Sequence, residues 1–160
     1  MTICGVSQKT PHIMYKENFL KFLFHEPEAS ATKSIVILLA RIIFGFLFLN
    51  HGIAKWHTFI DSSDMFPDPI GVGATLSMWL VLFAEIICSL GFMIGALFRL
   101  CLVPMIFTMC VAFFIIHAGD PLTVKEPSLM YLTIFVLLYI TGPGKYSIDR
   151  ILKSIYLDTK

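Results

Sequence analysis

Charged residues are scarce in this chain of 160 residues. Asp, Glu, Lys and Arg make up 14% of the sequence and hydrophobic residues 57%, whereas soluble domains carry about 25% charged and roughly 45–50% apolar residues. The net charge is +1 and no basic tract appears, so the charge distribution gives no reason to expect a nucleic-acid partner. The composition excludes an ordinary soluble domain and indicates a protein whose partner is the lipid bilayer.

Cysteine is also sparse, and its spacing argues against two common kinds of site. The four cysteines form neither a CxxC motif nor a paired zinc spacing; they are Cys4, Cys88, Cys101 and Cys110. Three of them lie in apolar runs, where a free thiol packs as a small hydrophobe. We therefore predict that Cys88 has a packing role and no partner thiol, and that the chain is not a dithiol oxidoreductase.

Four apolar runs approach the roughly 20 residues that cross a bilayer as a helix. They cover residues 34–56, 70–97, 99–117 and 127–141. None shows the alternation of polar and apolar residues that is typical of a membrane β-barrel. The sequence thus predicts an all-α integral membrane protein, an antiparallel four-helix bundle over residues 34–141 between the tails 1–33 and 142–160.

Lys and Arg are distributed unequally on the two sides of these spans. Nine lie in the two tails and at Arg99, while only Lys55 and Lys125 lie on the opposite side. Cytoplasmic segments carry the excess of Lys and Arg, so we expect both termini to be cytoplasmic.

Both tails contain an amphipathic segment. One lies near residues 12–25; the other follows Ser147, a good N-cap, with apolar residues at 148, 151, 152 and 155. We predict two short interfacial helices on the membrane surface.

Ionisable residues within spans are costly and call for a partner or a function. Arg41 in the first span and Glu85 in the second lie at similar depths, so they are expected to form a buried ion pair. One interpretation is a pair that fixes helix register; the other is that Glu85 lines a cofactor or proton site.

A second polar group is expected at the other end of the bundle. His51 and Lys55 are four residues apart on one helix, His117 ends the third span, and Glu126 precedes a fourth span of only 15 residues, about 22 Å long. These four side chains are predicted to converge on a polar pocket; alternatively, each is simply hydrated at the interface.

Two other ligands are chemically conceivable. His51 and His117 supply the minimum ligand set of a b-type haem, and together with Glu126 they have donor atoms suitable for a metal. Neither set has a short-spacing signature, so neither haem nor metal is expected.

The order of these residues resembles a known family. The chain resembles the DoxX family of four-helix bacterial membrane proteins in a series of residues and motifs. They are Arg41, Gly45, His51-Gly52 and Lys55 in the first span, FPDPIGVG before the second, Glu85, Arg99 and the GPGKYSID ending. The resemblance covers about residues 36 to 152 and implies a small subunit of the bacterial inner membrane that is associated with redox chemistry.

The resemblance implies a subunit of a quinone-linked oxidoreductase. An oxidoreductase partner subunit is expected, and the chain itself could form an oligomer. In that hypothesis the quinone is bound by His51, Lys55 and His117, and the catalytic residues are Glu85, Arg41 and Glu126, with Glu85 or Glu126 handling protons. The alternatives are a non-catalytic membrane scaffold and a small-solute or proton transporter.

Overall fold

A computed structural model describes residues 30–62 and 66–157, and within these ranges it contains helices and no strand. The helices are α1 (Ala31–Ser62), α2 (Ala74–Ile94), α3 (Phe98–Ile116), α4 (Leu122–Thr141) and α5 (Ile148–Leu157). The first four are long and apolar enough to cross a membrane, so the predicted all-α fold with four spans is confirmed. The amphipathic segment near residues 12–25 lies outside the described residues.

Consecutive spans are antiparallel. The contacting pairs run in opposite order along neighbouring helices. Between α1 and α2, Gly45 contacts Met93 and Gly52 contacts Glu85. Between α3 and α4, Arg99 contacts Tyr139 and Phe113 contacts Lys125. The short α2–α3 turn and the segment before α5 therefore lie at one end of the bundle. The α1–α2 and α3–α4 connections lie at the other.

Aromatic side chains from all four spans form the centre of the bundle. Phe48 of α1 meets Phe135 of α4 edge-on, with ring centroids 5.0 Å apart. Phe92 of α2 stacks on Phe98 of α3 at 5.4 Å and also contacts Phe135. The outward faces carry large apolar side chains, such as Ile140, which is 67% exposed. A bundle with an aromatic interior and an apolar exterior is suited to lipid rather than water.

The fourth span is longer than predicted. Helix α4 begins at Leu122 and includes Pro127, whereas the sequence interpretation placed its start at Pro127. Its 20 residues extend about 30 Å and match the thickness of the hydrocarbon core. The predicted 15-residue span is wrong, and a short span therefore does not draw Glu126 toward membrane depth.

Arg41 does not pair with Glu85, so the predicted ion pair is wrong. The fully buried Arg41 guanidinium donates hydrogen bonds to four backbone carbonyls. The acceptors are Phe92 O at 3.1 Å, Met93 O at 2.7 Å, Pro143 O at 2.8 Å and Tyr146 O at 2.9 Å. Two of these carbonyls close the last turn of α2, where intrahelical donors run out. Arg41 thus fastens the end of α2 to the segment that precedes α5.

Asp149 joins α5 to the start of α3 at the same end of the bundle. Its carboxylate accepts hydrogen bonds from Leu97 N at 2.7 Å and Phe98 N at 2.8 Å, the first free donors of α3. Gly95, with φ +70°, ends α2 in the left-handed conformation and lies against Arg41. Ser147 accepts from Arg150 N at 3.3 Å, which confirms it as the N-cap of α5. Whether α5 lies on the membrane surface stays a prediction.

We expect Arg41→Met to destabilise the bundle by about 3–5 kcal/mol, because it leaves buried carbonyls without donors. Unfolding of the detergent-solubilised protein by heat or SDS measures this loss. In a double-mutant cycle with Glu85→Gln the two losses should add within about 0.5 kcal/mol, since the residues do not touch. A coupling energy well above 1 kcal/mol would show that Arg41 and Glu85 interact directly, contrary to the structure.

Candidate functional site

Glu85 is fully buried in α2 and forms an ion pair with Lys55 of α1. A Cβ atom on Gly52 would lie 2.8 Å from the Glu85 Cβ, so the two helices meet closely at this glycine. Gly52 is three residues from Lys55 but eleven from Arg41, or about 16 Å along the helix axis. This spacing explains why Lys55, and not Arg41, is the partner of Glu85.

Only one oxygen of the Glu85 carboxylate takes part in the ion pair. Lys55 Nζ donates to Oε1, while Oε2 is buried without a hydrogen-bond partner in the part of the chain that the structure describes. Buried polar atoms normally have a partner. An unpartnered carboxylate oxygen at this depth is therefore a position where a ligand group or a proton is expected.

The Lys55–Glu85 pair borders a cavity of about 410 Å³ between α2 and α3. Its walls are largely apolar and include residues of the α1–α2 connection. The apolar lining residues include Phe66, Ile70, Val81, Phe83, Pro104, Phe107 and Ile116. The polar groups that line it are Lys55, Ser77, Glu85, Thr108 and His117. An apolar cleft of about 300–1,000 Å³ with a few polar groups is the usual form of a small-molecule site.

Two π-helical segments border this cavity. Phe83–Cys88 in α2 contains Glu85, and Ala112–Ile116 in α3 ends just before His117. In the second segment His117 N donates to Ala112 O at 2.9 Å, five residues back. π-Helical segments are rare within α-helices and occur frequently at functional sites. The sequence reasoning missed both segments, because hydrophobic periodicity does not reveal a single inserted residue.

His117 lines the cavity together with Lys55, and its Nδ1 lies 2.7 Å from Asp120 Oδ2. Asp120 was not identified from the sequence, although its position three residues after His117 was a usable signal. The two side chains are partly exposed at 33% and 45%. His117 therefore lies near the mouth of the site, whereas Glu85 lies at its buried side.

His51 does not join Lys55 in the cavity. Its ring meets Tyr131 of α4 edge-on at 5.7 Å. One residue turns an α-helix by about 100°, so when Gly52 faces α2, His51 is directed toward α4. His51 nevertheless lies close enough to Glu85 for their charges to interact, and its role beside Lys55 in binding one ligand stays a prediction.

Arg41 and Glu126 also lie outside the residues that line this cavity. Arg41 is held by carbonyls at the opposite end of the bundle, and Glu126 is exposed on α4. Their predicted catalytic roles at this site are not supported by the geometry. Within residues 30–62 and 66–157, no group of three His, Cys, Asp or Glu side chains is arranged to hold a metal.

Asp68 organises the connection that forms part of the cavity wall. Its carboxylate accepts hydrogen bonds from Val72 N at 3.0 Å, Gly73 N at 2.6 Å and Ser77 Oγ at 2.7 Å. These bonds, above all the one from Ser77, lower the pKa of Asp68 below its ordinary value. Asp68 thus fixes the loop that enters α2 and joins it to Ser77 in the first turn of the helix.

The comparisons with known proteins agree with this architecture. The family model described as DoxX matches residues 36–118, just over half of the chain. The chain belongs to the DoxX family. It is also 25% identical over 130 residues to an uncharacterized protein of Haemophilus influenzae, an alignment that covers 76% of this chain and 86% of that relative. No solved structure matches.

The stability of this DoxX-family bundle should depend on the absence of a side chain at Gly52. We expect Gly52→Ala to destabilise the bundle by about 1–3 kcal/mol, because the new methyl group overlaps Glu85 and Ile86 and forces the helices apart. Thermal unfolding in detergent measures the change. Gly119→Ala is the matched control, since nothing lies within 4 Å of its added Cβ atom. Equal stability of the two variants would refute the close approach at Gly52.

Acid should weaken the hydrogen bonds that Asp68 accepts before α2. Because its pKa is lowered on folding, its contribution to stability is complete above the ordinary value of about 3.9 and is lost as the pH falls through the lower folded value. The stability difference between the DoxX-family chain and its Asp68→Asn variant should be constant above about pH 4 and shrink below it. Unfolding temperatures measured from pH 3 to 7 test this. A difference that grows toward acid pH would contradict the stabilising role of these hydrogen bonds.

Proposed function

We propose that this DoxX-family chain is the membrane subunit of a quinone-linked oxidoreductase and that the Lys55–Glu85 cavity holds the quinone head group. The observation that carries the proposal is the buried, unpartnered Oε2 of Glu85 beside a largely apolar cavity. A head group of this class needs apolar contact for its ring and a small number of hydrogen-bonding groups for its oxygens.

The residues of the cavity are suited to these two needs. Phe83, Phe107 and Met109 offer apolar and aromatic surface, and the Lys55 ammonium is a strong hydrogen-bond donor. When bound, a quinone accepts two electrons and two protons at its oxygens. In our proposal Lys55 hydrogen-bonds to one oxygen, and Glu85 holds at Oε2 one of the two protons that are transferred, while the second comes from water. Electrons come from a partner subunit.

We also propose that the protein lies in a bacterial inner membrane with both termini in the cytoplasm. The end of the bundle that contains Arg99 and the Arg41 contacts also carries Lys33, Lys145 and Arg150. Cytoplasmic ends of spans carry the excess of basic residues. The cavity at the opposite end then opens away from the cytoplasm.

A non-catalytic scaffold is the second candidate, and one observation favours it. The buried Arg41 and the half-buried Lys55 of α1 are both compensated within the chain, Arg41 by backbone carbonyls and Lys55 by Glu85. Charges balanced in this way are able to fix helix positions without any ligand. The scaffold hypothesis differs from ours in leaving Oε2 of Glu85 without a function.

Quinone binding should require Lys55 and not the residues of α1 that lie outside the cavity. We expect Lys55→Met to weaken binding of a short-chain quinone about 10- to 100-fold, the equivalent of one hydrogen bond to a charged group. Glu85→Gln serves as a second variant that retains a buried polar group but cannot ionise. Equilibrium binding in detergent or lipid nanodiscs measures the affinity of each variant.

Ile53→Ala is the matched control, because Ile53 lies on the same helix, is 42% exposed and is not among the residues that line the cavity. Its affinity should stay within about twofold of the unmodified chain, since less than 0.5 kcal/mol is involved. If the folded protein binds no quinone, or if Ile53→Ala loses as much affinity as Lys55→Met, the proposal fails and the scaffold hypothesis takes its place.

A further inference from the structure

His117 and Asp120 form a hydrogen-bonded pair in the α3–α4 connection, and the histidine of this pair also lines the cavity. The backbone of the connection holds the two residues together, because Asp120 N donates to His117 O at 3.1 Å. On the other side, His117 N donates to Ala112 O at 2.9 Å in the π-helical segment of α3. The imidazole ring is thus fixed against the cavity wall from both directions along the chain.

The contact with Asp120 decides which ring nitrogen meets a ligand. An ionised carboxylate only accepts hydrogen bonds, so Nδ1 of His117 carries a hydrogen and donates to Asp120 Oδ2 at 2.7 Å. In the neutral ring Nε2 is then the acceptor, and in the protonated ring it is a donor. Nε2 is therefore the nitrogen that is available to exchange a proton with a molecule in the cavity.

Asp120 also supplies the charge that a proton on His117 requires. Lys55 and Glu85 in the same cavity already compensate each other as an ion pair. A protonated His117 adds a positive charge, and the Asp120 carboxylate lies within hydrogen-bond distance of its ring. A carboxylate at Nδ1 holds an imidazole in one tautomer and stabilises the imidazolium when it forms. The cavity is thus able to hold a second proton without disturbing the Lys55–Glu85 pair.

The two protonatable groups of the cavity differ in their access to water. Glu85 is fully buried, whereas the side chains of His117 and Asp120 are 33% and 45% exposed. His117 therefore exchanges protons with water at the mouth of the cavity, and Glu85 is shielded from it. A quinone carries its two oxygens on opposite sides of the ring and needs a proton at each when it is reduced.

We propose that His117 is a second catalytic residue, whose Nε2 exchanges a proton with the quinone oxygen farther from Lys55, and that Asp120 is its positioning residue. This inference rests on the proposed function. During reduction, an O–H bond forms on the quinone as the Nε2–H bond of the imidazolium breaks, and the neutral ring then takes a proton from water. Glu85 provides the other proton and the partner subunit provides both electrons, so the quinone becomes a quinol.

The same steps run in reverse when a quinol is oxidised. Nε2 of His117 then accepts the hydroxyl proton and passes it to water beside the α3–α4 connection, and two electrons leave for an acceptor. The side of the membrane on which this proton appears or disappears is therefore the side of that connection, opposite to the end that contains Arg41 and Asp149.

The test measures quinol oxidation by the full chain in lipid nanodiscs, with the protein in excess over a short-chain quinol. Ferricyanide is the oxidant; two ferricyanide ions take one electron each, and the loss of their colour gives the rate. We expect His117→Ala to slow the oxidation about 100-fold, at the low end of the effect of a general base. Added imidazole should restore much of this rate, because the position of the missing ring is open to water.

Asp120→Asn tests the positioning role. We expect the rate to fall about 10-fold, because a neutral amide does not stabilise the imidazolium, while the affinity for quinone stays within about twofold. Imidazole should not rescue this variant, since the ring of His117 is still in place. His57→Ala is the matched control, because His57 is exposed on α1 and is not among the residues that line the cavity. Its rate should equal that of the unmodified chain.

The outcomes separate this inference from the proposed function. If His117→Ala binds quinone and oxidises quinol as fast as the unmodified chain, His117 is not the base and the inference is overturned, while the proposed site stands. A slow His117→Ala variant that imidazole does not accelerate would give His117 a structural role and would also overturn it. An unmodified chain that binds no quinone would refute the proposed function, and this inference with it.

Discussion

The need to compensate two cations on one face of α1 determines how the bundle assembles. Arg41 and Lys55 are separated on that face by Gly45 and Gly52, both of which lie against α2. The glycines bring the helices into contact, and each cation then finds its partners there: backbone carbonyls for Arg41 and the Glu85 carboxylate for Lys55. Either charge left alone in the membrane interior would be costly, so the position of α2 follows from this face.

The functional site is a consequence of that packing. Gly52 fixes Glu85 beside Lys55, while the π-helical segment Phe83–Cys88 locally alters the regular α-helix around it. Helix α3 leaves a cavity against this part of α2 and approaches α2 closely near Gly91. The polar pair and the apolar cavity thus lie next to each other. The proposed quinone site depends on this proximity.

The sequence was sufficient for the fold and for the kinds of residue at the site, but not for their partners. Long apolar runs identify spans because lipid provides no hydrogen bonds to an irregular backbone. Depth alone, however, leaves Glu85 within reach of either cation, and only the contact at Gly52 distinguishes Lys55 from Arg41. The direction of His51, whose ring meets Tyr131, depends on helix rotation. That rotation is set by packing rather than by spacing.

Photolabelling with an azido-quinone tests the central claim most directly, because it reports where the head group lies in the folded protein. The account predicts labels on peptides of α2 and α3 that line the cavity, around Val81 and Thr108, and loss of these labels when unlabelled quinone is in excess. Labels spread over the outward lipid-facing surface of α4, and unaffected by competing quinone, would contradict a binding site between α2 and α3.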